Sequence, residues 1–187
     1  MNQTPPSQPY RATLRDGATV LIRPIQSGDV ELERDFIERL SPTSRRYRFL
    51  GTIKTPSESL LKELTHPEQT HGVAYVALSE EGPETREIGV CRYGASSDGV
   101  SCECAVAVAD EWHGKGLGTL LMHRLIETAR ANGFARMYSI DASDNQEMRE
   151  LAEHLGFSRE VDPDDYTTVI HTLALQKSEP GSPKASD

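Results

Sequence analysis

Residues 101–121 read SCECAVAVADEWHGKGLGTLL: an apolar strand, a short loop with glycine at every second position, then the start of an amphipathic helix. In the strand, Cys102, Cys104, Val106 and Val108 alternate with Glu103, Ala105, Ala107 and Ala109. Because strand side chains repeat every second residue, Glu103 falls on a face otherwise made of alanines. Small side chains leave room there, and a lone buried carboxylate is costly, so Glu103 is expected to be paired, neutral or open to a cleft. Arg92 is the partner expected if Glu103 is only structural. Gly114, Gly116 and Gly118 let the backbone turn sharply or approach a ligand closely. The helix that follows begins with unpaired N–H groups and the positive end of its dipole, and Lys115 adds a charge, so the junction suits an anion, most simply a pyrophosphate. From Glu103 to Ala109 is about 20 Å of extended chain. A phosphate at the loop and a reacting group near Glu103 therefore require a long, thin ligand.

Two common phosphate motifs are excluded. The Walker pattern G-x-x-x-x-G-K-[ST] is absent, and the G-x-G-x-G spacing differs from the dinucleotide fingerprint, which also needs a parallel βαβ unit. Before the loop the chain reads instead as an antiparallel meander: Val73–Leu78, Arg86–Tyr93 and Val100–Ala109, joined by turns at Glu80–Glu84 and Ala95–Gly99. Further upstream, Tyr10–Leu14 and Ala18–Ile25 flank Asp16-Gly17 as a hairpin. A helix is predicted from Gly28 to Leu40 behind Ser27, and another to Thr65 behind a Thr55-Pro56 cap. Between these helices SPTSRRYRFL (41–50) interleaves Arg45, Arg46 and Arg48 with Tyr47 and Phe49. It reads as solvated arginines around a half-buried aromatic pair, or as the border of an anion site. Downstream come the helix with Leu117, Leu121 and Leu125, a strand at Phe134–Ile140, a helix opened by a Ser143/Gln146 capping box, and strands at Phe157–Val161 and Thr167–Leu175. The fold class is α+β: a mixed, largely antiparallel sheet of about seven strands with helices on both faces.

The length of 187 residues fits one domain over residues 10–176, between expected flexible tails at 1–9 and 177–187. A net charge of −9 disfavours nucleic acid as a partner. The sequence has neither a run of roughly eighteen apolar residues nor a signal-peptide pattern, so no membrane partner is expected and the location expected is cytoplasmic. Cys91, Cys102 and Cys104 read as reduced core thiols, and no metal site is expected, because Cys/His spacings of the zinc type are missing.

Residues 113–118, His-Gly-Lys-Gly-Leu-Gly, resemble the acetyl-CoA signature of the GNAT superfamily of N-acetyltransferases, Q/R-x-x-G-x-G/A, with His113 in place of the usual Gln or Arg. Residues 145–157, NQEMRELAEHLGF, resemble that family's second cofactor segment. The resemblance implies a GNAT-type fold and acetyl-CoA as cosubstrate. It implies binding by Val106, Ala107, Val108, His113, Gly114, Lys115, Gly116, Leu117, Gly118, Thr119 and Asn145, the last at the pantetheine arm. His113 is expected to alter affinity rather than abolish binding. The stretches Ser41–Phe49 and Glu103–Val106 are similar to catalytic domains of bacterial protein lysine acetyltransferases, which implies acetyl transfer to a primary amine, a protein lysine among the candidates. Direct attack with Glu103 as general base is the mechanism implied. Alternatives are a small-molecule amine acceptor, or a non-catalytic acyl-CoA-binding sensor. Many family members carry a tyrosine that protonates the departing thiolate where this chain has Ala152; Tyr138 and Tyr166 are the candidate substitutes. The acceptor walls are expected from the first two helices and the Asp162–Thr167 turn, and the oligomeric state, dimer included, is left open.

Overall fold

The structure, a computed structural model, describes residues 8–79, 81 and 84–175. Apart from Gln8 and Pro9, the expected N-terminal tail lies outside the described residues, as does the whole C-terminal tail and part of the Glu80–Glu84 turn.

Eight strands form one sheet: β1 (Tyr10–Thr13), β2 (Thr19–Pro24), β3 (Val73–Ser79), β4 (Arg86–Ala95), β5 (Ser101–Val108), β6 (Arg136–Ala142), β7 (Ser158–Val161) and β8 (Thr168–Ala174). Their order is β1-β2-β3-β4-β5-β6-β8-β7, and every neighbouring pair is antiparallel except β5–β6. This is the expected mixed sheet, with eight strands rather than about seven. Five α-helices accompany it: α1 (Val30–Arg39), α2 (Pro42–Phe49), α3 (Glu58–Thr65), α4 (Leu117–Ala131) and α5 (Gln146–His154).

The central strands are buried on both faces, every residue of β3 included. On one face α4 lies close: Tyr75 shares a hydrogen bond of 2.9 Å with Thr128, Cys91 Sγ is 3.4 Å from the Leu121 carbonyl, and Asn132 donates to Tyr93 at 2.6 Å. Gly89 permits this approach, since a Cβ there would meet Leu117 and Leu121 side chains at 3.3 and 3.1 Å. On the opposite face Arg92 reaches the Leu64 carbonyl of α3 and Glu33 of α1. Helices thus cover both faces, as the apolar patterns require.

Three local readings are corrected. Residues 42–49 form a helix: Ser41 Oγ accepts from Ser44 N at 3.1 Å and Pro42 takes the first turn, where its missing N–H costs nothing. The cap of α3 is Ser57, which accepts from Leu60 N, rather than Thr55, two residues earlier. Likewise α5 is capped by Asn145, whose Oδ1 accepts from Met148 N at 3.1 Å, and not by a Ser143/Gln146 box.

Candidate active site

The parallel pair β5–β6 supplies the opening. Its register runs only through Ser101↔Arg136, Cys102↔Met137 and Glu103↔Tyr138. Past Glu103 the two strands part, while β5 stays paired with β4 as far as Val108↔Gly89 and β6 stays paired with β8 as far as Ala142↔Thr168. The edge of β5 that faces β6 is therefore left unpaired by any strand over residues 104–108, which offers backbone donors and acceptors to an inserted ligand.

A cavity of about 390 Å³ occupies this split. Val106, Ala107 and Val108 form one wall, the loop His113, Gly114 and Gly116 through Thr119 one end, and Asn145, Met148 and Leu151 the α5 side. Gly116 is the cap of α4 at φ 89° and Gly114 lies at φ 71°, both in the left-handed region that favours glycine. No side chain caps α4, so its first N–H groups remain available to an anion. Of the sequence-predicted cofactor residues only Lys115 does not line the cavity. Its ammonium pairs with Asp16 at 3.1 Å and sits 4.4 Å from the Trp112 ring. The cation at the loop is instead Arg15, a residue of the β1–β2 turn that the sequence reading left in a hairpin. Its backbone N–H donates to the Lys115 carbonyl at 3.2 Å, its side chain lies against Gly116, and it lines the cavity.

His113 braces the loop: Nε2 is 2.9 Å from the Val108 carbonyl and Nδ1 is 2.9 Å from Glu147 of α5. Helix α2 crosses beside the cavity. Ser41 and Ser44 hydroxyls both donate to Asp110 Oδ1 at 2.7 Å, and at the other side Arg46 pairs with Asp144 at 2.7 Å. Asp110 is held below the usual carboxylate range by these donors, against an opposing push from partial burial. Ser44, Tyr47 and Arg48 of α2 thereby become cavity wall.

A second cavity, about 520 Å³, opens on the α1/α3 side and is lined by Arg48, Phe49, Leu60, Glu63, Glu103 and Tyr138 among others. Glu103 is exposed there and makes no hydrogen bond or ion pair among the described residues. The structural pairing with Arg92 does not occur, because Arg92 is held by Glu33 at 3.0 Å. Of the expected acceptor walls, α3 contributes; α1 and the Asp162–Thr167 turn do not line this cavity, and α2 does. Tyr138 lines it, its hydroxyl 3.2 Å from Ser96 Oγ, whereas Tyr166 is 82% exposed and lines neither cavity. Ala152 is buried at 1% exposure.

The sequence model of the acetyltransferase (GNAT) family matches residues 34–157. The chain belongs to the GNAT acetyltransferase family. Among its relatives, a Pseudomonas aeruginosa acetyltransferase is 50% identical over 163 residues, which are 87% of this chain and 88% of that protein. The acetyltransferase Pat of Mycolicibacterium smegmatis is 28% identical over 149 residues, 79% of this chain but 44% of that longer protein. In fold the chain is similar to the GNAT domain of S. lividans PAT, with TM-score 0.79, 24% identity and coverage of 89% of this chain and 96% of that one. GNAT acetyltransferases take acetyl-CoA as cosubstrate, and this chain is an acetyl-CoA-dependent N-acetyltransferase that acts on an amine acceptor. The stretch that resembles the GNAT signature forms the glycine loop between β5 and α4, and the stretch that resembles the second cofactor segment holds α5.

Proposed function

We propose that the chain transfers an acetyl group from acetyl-CoA, bound in the cavity between β5 and β6, to a primary amine that enters through the second cavity, with Glu103 as general base. The observation that carries this is the position of Glu103: the last residue of the β5–β6 pairing, unpartnered and facing the second cavity. The first cavity fits the cosubstrate's demands. The α4 N-terminus and Arg15 suit the pyrophosphate, the edge of Val106–Val108 that no strand pairs suits the amide-bearing arm, and the amide nitrogen of Asn145, whose oxygen caps α5, suits the same arm.

In the acceptor cavity Phe49, Leu60 and Leu64 are apolar and Glu63 and Glu103 are acidic, and its two arginines are Arg92, paired with Glu33, and Arg48, at the seam with the first cavity. That combination suits a cationic amine at the end of an alkyl chain, and a protein lysine is the acceptor we favour. Such an amine, with pKa near 10.4, needs roughly 4.6 kcal/mol to be deprotonated at neutral pH. The Glu103 carboxylate takes that proton, directly or through one water, and passes it to solvent; the freed lone pair then forms the C–N bond, the C–S bond breaks with its electron pair going to sulfur, and the second proton, shed as the nitrogen becomes an amide, leaves to the same carboxylate. We place this chemistry in the cytoplasm, a reading supported by three free, buried thiols; among the described residues no helix is long and apolar enough to cross a membrane.

The test is Glu103→Gln, with CoA release measured over a panel of lysine-bearing proteins and small amines, and acetyl-CoA affinity by calorimetry. Turnover should fall about 10²–10⁴-fold with affinity unchanged. Undiminished turnover would move the base elsewhere. Wild-type binding without CoA release on any acceptor would favour a sensor module instead.

A further inference from the structure

Acyl transfer from a thioester leaves a thiolate, and that charge has to be met inside the protein. No hydroxyl is placed for it on α5, where the relevant position is the buried Ala152. Tyr47 lines the cosubstrate cavity but its hydroxyl donates to the Asp144 carbonyl at 3.3 Å, and Tyr138 lines only the acceptor cavity. The residue that lines both cavities is Arg48, in the last turn of α2.

Its neighbours show what is unusual about it. Arg45 donates to the Lys54 and Leu40 carbonyls, Arg46 pairs with Asp144, and Arg92 pairs with Glu33. Arg48 has no hydrogen bond or ion pair among the described residues; its Cζ lies 4.9 Å from the Phe49 ring centroid. Burial, reinforced by the charge of Arg92 and opposed more weakly by that of Glu33, pushes its guanidinium down to about 10, so it stays a cation at neutral pH with no ion-paired carboxylate among the described residues. A cation held this way gains most from an anion that forms beside it.

We propose that Arg48 takes up the negative charge of the departing CoA sulfur. This rests on the reading above, that the thioester lies where the two cavities meet; the acetyl carbon is attacked from the acceptor side, so the sulfur bonded to it lies at the same seam. As the N–C bond forms and the C–S bond breaks, the electron pair moves to sulfur and is neutralised by the guanidinium. The proton that the attacking free amine sheds on becoming an amide goes to Glu103, so the thiolate leaves unprotonated and no general acid is required.

The test needs no acceptor. Free CoA is bound to the full chain, and its thiol is titrated by the ultraviolet absorbance of the thiolate. In the wild type the bound thiol should titrate about one to three units below free CoA, the effect of an opposite charge within hydrogen-bonding reach. Arg48→Met should abolish the shift and lower kcat with little change in KM for acetyl-CoA, and Arg48→Lys should keep most of both, with circular dichroism reporting the fold of each variant. Bound CoA with an unshifted thiol, or a shift that persists in Arg48→Met, overturns the proposal and leaves the Glu103 reading intact. Failure of CoA to bind the wild type overturns the reading beneath it as well.

Discussion

Replacing Glu87 by Gln is expected to make the protein more stable than wild type, by a margin that grows from acidic to neutral pH. Glu87 is fully buried in β4, and neither carboxyl oxygen accepts a hydrogen bond from a protein donor. It faces Glu33 because the β3–β4 register shifts between Ala77 and Leu78, which pairs Glu87 with Leu78 and turns its side chain toward α1. Burial first, then the charge and hydrogen bond of Glu33, push the Glu87 carboxyl well above its ordinary 4.5. The folded chain therefore holds a proton that the unfolded chain releases above 4.5, so the stability this proton gives is complete below that pH and is lost as pH rises through the folded value. Between 4.5 and neutrality lie about 2.5 units, at about 1.4 kcal/mol each, which caps the loss at about 3.5 kcal/mol whatever the folded value is. Gln keeps an N–H donor for the otherwise unpartnered Glu33 Oε2 and does not titrate. Urea denaturation of both proteins across this range measures the difference, in which titrating groups that do not interact with Glu87 cancel. A Gln-minus-wild-type difference that stays flat with pH would refute the assignment of a protonated Glu87.

Gly116→Ala should lower acetyl-CoA affinity and cost about 1–2 kcal/mol of stability, since φ is 89° and the added Cβ would lie 3.3 Å from Arg15 Nε; calorimetry and thermal denaturation read the two effects. Cys91 and Cys102, pushed up to about 12 by burial, and Cys104, raised well above the ordinary thiol value by the same cause, should not react with a thiol reagent in the folded protein, and all three should react after denaturation. Their silence also makes a thiol-reactive readout of released CoA usable.

The strands around the site were legible because their signals are local. The alternation of Cys102 through Ala109 placed Glu103 on the opposite face from Cys104, and the glycines marked the turn into α4. The helix of residues 42–49 was written in Ser41-Pro42 as clearly as α3 was in its own cap, but the arginines and aromatics drew the reading toward surface chemistry. Caps two residues out of place, Thr55 for Ser57 and Ser143 for Asn145, reflect how many Ser, Thr and Asn residues crowd those loops. What the sequence did not carry is tertiary. The point where β5 and β6 part depends on β6 staying with β8, and Arg15 reaches Gly116 across about a hundred residues of chain. The choice of Arg15 over Lys115 as the loop cation turns on Asp16, which captures the lysine.

The same pairing logic explains how a chain of net charge −9 presents a site for an anionic cosubstrate. Distant charges are screened within about 10 Å at ordinary salt, so the groups lining the cavity decide. The acids among them are already engaged: Asp141 with His171 at 2.8 Å and Ser139 at 2.6 Å, Glu147 with His113, and Glu150 with the Gln146 amide at 2.8 Å. The guanidinium groups of Arg15 and Arg48 have no carboxylate partner among the described residues, one at the glycine loop and one at the seam of the two cavities. On the proposed reading, local charge is therefore positive at the two places where the cosubstrate would be or become negative, the pyrophosphate and the sulfur. Between them lie small side chains and backbone that no strand pairs, and Glu103, unpartnered among the described residues, faces the second cavity, the side on which the proposed mechanism has a cation lose its proton before it attacks.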